Sequence, residues 1–227
     1  MNNMPWSFSP YKPIFFETGD IYICRISPNK NDFTAEWLDI KEEYSVFLKK
    51  RDESEFKETL KTKNNFCTIK NLEEDTDYEF YVVRDDDGAR SETRLARTGI
   101  VPGRVVNYLH PDDPALAFSG QYLCSPCLIR LPSGRLLASM DVFRGNAPQN
   151  LTLIYYSDDD GQSWHYLTEL FPCFWGQMFY ENGRLYMLAC STEYSDLLIG
   201  KSTDGGKTFG FERPDTYYPY VIKGEKI

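Results

Sequence analysis

The chain has 227 residues, enough for two ordinary domains with separate cores, and its 41% hydrophobic and 26% charged residues are the balance of a folding chain. A formal charge of −9 argues against nucleic acid, which is held by clustered Lys and Arg, and against an anionic membrane surface. No stretch approaches the roughly 20 apolar residues that span a bilayer, and residues 1–13 lack the pattern of a secretory leader, so a cytoplasmic location is expected by default.

From Asp20 to Arg97 short alternating runs separated by polar turns predict a β-sandwich of seven strands. The expected strands are Asp20–Ile26, Phe33–Leu38, Glu43–Lys49, Glu55–Lys61, Asn65–Lys70, Asp77–Arg84 and Arg90–Arg97. Phe33, Ala35 and Trp37 fall on one face, as do Tyr44, Val46 and Leu48, and these faces are the expected core. Asp85-Asp-Asp-Gly88 reads as a hairpin turn rather than a calcium loop.

Trp37, together with the run Leu72-Glu-Glu-Asp-Thr-Asp-Tyr78, resembles the fibronectin type III family, with Tyr78 as its corner tyrosine. The resemblance covers about the first hundred residues, placed at 10–98, and implies an accessory domain that spaces or docks its neighbours. Residues 99–123, opening with Gly99 and Gly103, read as a linker and the entry to a second domain at 124–227.

Two stretches of the second domain align 49 residues apart: Arg130-Leu-Pro-Ser-Gly-Arg-Leu-Leu-Ala138 and Phe179-Tyr-Glu-Asn-Gly-Arg-Leu-Tyr-Met187. Downstream of each, 45 residues apart, stand Ser157-x-Asp159-x-Gly161-x-Ser-Trp164 and Ser202-x-Asp204-x-Gly206-x-Thr-Phe209. A repeat of this length suits four-stranded propeller blades. In each motif an Asp accepts backbone hydrogen bonds across a tight turn, a Gly permits positive φ, and the terminal aromatic packs between sheets.

These motifs resemble the Asp boxes (BNR repeats) of the sialidase-like β-propellers, where they are structural. The resemblance implies an all-β chain: a fibronectin type III-like sandwich plus a partial propeller of about two blades. It further implies the amino-terminal part of an exo-acting glycoside hydrolase acting on glycans, inactive as this chain alone because the later catalytic groups lie in further blades. The alternative is a non-catalytic glycan- or protein-binding module that uses the blades as scaffold. A glycan or oligosaccharide is the expected partner, together with the missing blades of a longer chain.

At the start of the first inner strand Cys124-Ser-Pro126 stands where sialidases carry Arg-Ile-Pro, so the carboxylate-binding arginine is missing and sialic acid is not the implied sugar. The acid/base position of the family falls on Asp141, which serves if burial raises its pKa. His110, Arg144, Gln149, Trp175 and Glu193 are the candidate substrate contacts, since sugar sites pair aromatic faces with carboxylates and amides. The six cysteines show no disulfide spacing, and Cys124-x-x-Cys127 lacks the second pair of a zinc ribbon and the helix of a redox motif. No metal or cofactor is expected.

Overall fold

The computed structural model describes residues 21–38, 43–193 and 195–211. The first expected domain edge, residues 10–20, and the end of the second, residues 212–227, lie outside the described residues. Fifteen strands and no helix form among the described residues, and so no helix there is long and apolar enough to cross a membrane.

The first seven strands are β1 (Tyr22–Pro28), β2 (Phe33–Leu38), β3 (Tyr44–Lys50), β4 (Lys57–Thr62), β5 (Phe66–Ile69), β6 (Asp77–Arg84) and β7 (Arg94–Arg97). They pair as two antiparallel sheets, β1-β2-β5 and β4-β3-β6-β7, which is the fibronectin type III-like sandwich. Period-two alternation is the cause: along β6 every second residue is buried, bringing Tyr78, Phe80 and Val82 into the core with Phe33, Trp37, Tyr44 and Val46. Trp37 meets Tyr44 edge-on at 5.2 Å, and the Tyr78 hydroxyl accepts the Glu73 N–H at 2.9 Å, closing the loop into β6. Asp85–Gly88 is a turn, with Gly88 at φ 74° and Arg84 bridging Asp87 through Nε at 2.9 Å. The last strand is shorter than expected: Arg90 makes only an isolated bridge to Val83, because Ser91 turns its hydroxyl onto the Val82 N–H.

The expected linker is packed rather than free. Residues 105–108 run along β1: Ser27 Oγ donates to the Val105 carbonyl, Arg25 Nε to that of Val106, and the Tyr108 N–H to that of Ile26. The next turn buries an ion pair, Arg94 Nε to Asp113 at 2.7 Å, with Leu109 and Leu116 packed beside it. Ordering a connector costs conformational entropy, here offset by side chains from the sandwich that bond its backbone.

The remaining strands form two four-stranded antiparallel meanders. The first contains β8 (Tyr122–Arg130), β9 (Leu136–Phe143), β10 (Thr152–Ser157) and β11 (His165–Leu170). The second contains β12 (Phe174–Glu181), β13 (Arg184–Cys190), β14 (Leu197–Ser202) and β15 (Gly210–Phe211). One face of the first meander meets the sandwich: Tyr155 donates its hydroxyl to the Cys24 carbonyl, and Tyr22 donates to Glu169. Its other face packs on the second meander through Leu137, Ile154, Met178, Leu185, Met187 and Phe209. The hairpins are offset from the ungapped alignment: Arg130 pairs with Leu136 while Tyr180 pairs with Leu185, so the second turn is one residue shorter.

The turns at the two repeated Ser-x-Asp-x-Gly motifs are built alike. Asp159 Oδ1 accepts the Ser157 hydroxyl and the Ser163 N–H, each at 2.8 Å, and the Gly161 N–H donates to Ser157 Oγ at 2.9 Å. Asp204 Oδ1 takes the Ser202 hydroxyl at 2.8 Å and the Thr208 N–H at 3.0 Å, and the Gly206 N–H donates to Ser202 Oγ at 2.9 Å. Trp164 and Phe209 then insert into the cores on either side of the first meander.

Candidate functional site

β8 and β12, the first strands of the two meanders, are bulged at the same place. Pairing along β8 jumps from Cys124↔Asp141 to Cys127↔Ser139, and along β12 from Phe174↔Cys190 to Gln177↔Leu188. Ser125 and Trp175 take the left-handed φ of 49° and 54° that the extra residue requires. For residues other than glycine such a backbone holds strain of about 1–3 kcal/mol, maintained only where the surroundings fix it.

The fixing group is Asp141, on the face of β9 turned toward the second meander and 0% exposed. Its Oδ1 accepts the Thr152 hydroxyl at 2.5 Å, and its Oδ2 accepts the Trp175 N–H at 2.7 Å. The Ser125 hydroxyl and the Gly176 N–H stand close enough to favour its charged form. One carboxyl thus reaches both bulges. Burial dominates its ionisation and pushes the pKa up to about 6, while the four donors pull the other way.

Around it stand a half-buried Cys124 and Glu193, the latter following β13. Burial raises the Cys124 thiol and the negative charges of Asp141 and Glu193 raise it further, so it stays a thiol rather than a nucleophilic thiolate at neutral pH. Trp175 is 48% exposed and presents its indole at the rim, backed by the Phe174 ring at 5.5 Å.

The other candidate residues are not drawn into this cluster. Arg144 is exposed at the tip of the loop after β9. Gln149 is buried and closes that loop, donating Nε2 to the Arg144 carbonyl at 2.9 Å. His110 is buried on the sandwich side, its Nδ1 accepting the Asp112 N–H at 3.0 Å and its Nε2 lying 3.6 Å from Asp77. Tyr194, beside Glu193, lies outside the described residues.

Sequence reasoning passed over Ser125, Thr152 and Cys124 as neighbours of Asp141. One signal was present: the repeat equates Asp141 with Cys190, 49 residues on, so the carboxyl is where the copies differ. No metal-binding group of His, Cys, Asp and Glu occurs among the described residues.

No family model and no curated protein matches the chain. Among solved structures, it is similar to the FN5 domain of Drosophila Lar, at 20% identity and a TM-score of 0.30 over 35% of this chain and 95% of that one. Another similar structure is a Trypanosoma rangeli sialidase, at 13% identity and a TM-score of 0.36 over 85% of this chain and 38% of the sialidase. A third is a protein of unknown function from Dyadobacter fermentans, at 14% identity and a TM-score of 0.36, spanning 90% of this chain and 56% of that one.

Proposed function

We propose that the chain is the amino-terminal part of a sialidase-like, exo-acting glycoside hydrolase, whose glycan-facing rim begins at the two inner-strand bulges. The observation that carries this reading is the placement of the Asp141 carboxyl under both bulges, directly below the exposed Trp175. A carboxyl with pKa about 6 is half protonated in mildly acidic solution, and an indole face stacks on the apolar face of a sugar ring. The two Asp-box meanders support the propeller reading, and so does the outward face of the second, which exposes Phe179, Leu188, Leu197 and Ile199. That face corresponds to the one the first meander turns to the second, and further blades of a longer chain would cover it.

A second reading has its own support. Asp141 is fully covered, with Thr152 and Trp175 occupying its lone pairs, so this chain alone holds a glycan without cleaving it, and Asp141 acts by positioning Trp175. Full-length protein and the 227-residue chain should both be assayed on a panel of 4-methylumbelliferyl glycosides. Hydrolysis by the longer form alone, abolished in Asp141→Asn, supports the enzyme. Glycan binding by the short chain that weakens in Trp175→Ala, with no hydrolysis by either form, supports the binding module. Neither activity in either form overturns both.

A further inference from the structure

A cleft of about 320 Å³ lies between the sandwich and the first Asp-box turn, away from the bulges. That volume is at the small end of ligand sites, which run from about 300 to 1,000 Å³. Its floor is the outward face of β1-β2-β5, where Ser27, Thr34 and Thr68 form one cross-strand row. Residues 101–105 wall one side, and Gln162–His165 of the turn wall the other.

The floor hydroxyls are already engaged: Ser27 donates to the Val105 carbonyl and Thr34 bonds Thr68, both at 2.9 Å. Spare hydrogen-bonding capacity therefore sits at the edges. Among the described residues nothing bonds the Asp32 carboxylate or the Asn29 side chain, and the Arg104 guanidinium has only a 3.5 Å contact with Gln162. Arg25, also in the wall, is committed to the Val106 carbonyl. Phe66, 44% exposed on the edge strand β5, adds a flat apolar ring.

We infer that this cleft binds an uncharged oligosaccharide. A sugar hydroxyl donates to a carboxylate and accepts from a guanidinium, and the C–H face of a pyranose stacks on a ring. Acceptor, donor and ring line one trough, with one fixed charge of each sign among the unengaged groups. A purely anionic ligand would meet Asp32, and a purely apolar one would leave Asp32 and Arg104 desolvated and unpaired. The site is independent of the bulge rim and stands whether or not that rim binds glycan.

Calorimetric titration of the purified chain with cellotriose, maltotriose, mannotriose, xylotriose, chitotriose and 3′-sialyllactose tests this. At least one uncharged trisaccharide should bind, with Kd weakened about tenfold or more in both Asp32→Asn and Phe66→Ala. Ile199→Ala, on the outward face of the second meander, should leave that Kd unchanged, and Trp175→Ala reports whether glycan is held at the bulge rim instead. Circular dichroism checks the fold of each variant, and Asp32→Asn, a conservative change in a loop, decides alone if Phe66→Ala does not fold. No uncharged trisaccharide bound, 3′-sialyllactose as the sole binder, or binding that only Trp175→Ala removes would overturn the inference.

Discussion

The two meanders share one turn and differ in what covers them. Each Ser-x-Asp-x-Gly turn makes the same hydrogen bonds at nearly the same distances, so the turn is a local structure indifferent to its neighbours. The faces are another matter. The first meander is covered by the sandwich on one side and by the second meander on the other, whereas the outward face of the second exposes a row of large apolar side chains. Repetition of sequence thus gives equivalent turns but not equivalent energetics, since burial depends on what the next layer supplies.

The aromatic anchors give the largest expected effects. Trp164→Ala and Phe209→Ala should each lower the free energy of unfolding by about 3–5 kcal/mol in urea titrations, because both side chains fill cores. They should differ in what loosens. Trp164 packs with Tyr155, Tyr166 and Cys24, so its loss exposes the contact with the sandwich, which limited proteolysis near residues 99–121 would report. Phe209 packs with Leu137, Ile154 and Met187, so its loss opens the seam between the meanders. A cost below about 1 kcal/mol for Phe209→Ala would break the equivalence of the two turns.

Ile154 and Ile199 sharpen the contrast because they are the same repeat position, 45 residues apart. Ile154 is fully buried between the meanders and Ile199 is 52% exposed. Ile154→Ala should cost about 2–5 kcal/mol, and Ile199→Ala about 0.5 kcal/mol or less, by the same titration. Equal costs would mean that the outer face is covered in solution, and light scattering across a range of protein concentrations would identify self-association as the cause.

Much of this architecture was legible in the sequence, for local reasons. Alternation in Phe33–Trp37 and Tyr44–Leu48, the corner at Tyr78 and the paired Ser-x-Asp-x-Gly turns each reflect neighbours a few residues apart, and they mark strands and turns wherever the chain goes. The illegible parts depend on partners far along the chain. That residues 105–108 lie along β1 rests on Arg25 and Ser27 reaching about 80 residues ahead, which no periodicity records. His110 read as a site residue because it is one of two histidines, yet its surroundings come from Asp77 across the sandwich. Asp141 was picked out by its place in the chain, but its bond to the Trp175 N–H, and hence its burial, follows only from how one meander stacks on the next.

Asp141 and Cys190 provide the contrast tied most closely to function. They occupy the same place in β9 and β13, both paired to the residue preceding a bulge, but only Asp141 brings a carboxyl there, and burial pushes its pKa up to about 6. Its folded pKa of about 6 lies above the usual carboxylate value of about 3.9, so the folded state holds the proton more tightly than the unfolded chain does. Its contribution to stability is therefore full below about pH 4 and is lost as pH rises through about 6. Exposed carboxylates act in the opposite sense: Asp159, held down to about 2 by the Ser163 hydroxyl and N–H, adds to stability above the ordinary carboxylate pKa and loses that contribution as pH falls toward 2. The difference between wild type and Asp141→Asn isolates the buried group. Measured by urea unfolding from pH 4 to 7.5, wild type should lose about 2–3 kcal/mol relative to the variant across that window, most of it by pH 7. Cys190→Ser should run parallel to wild type throughout. A pH-independent difference for Asp141→Asn would mean that the carboxyl is solvated rather than buried, removing both the raised pKa and the clamp it places on Trp175.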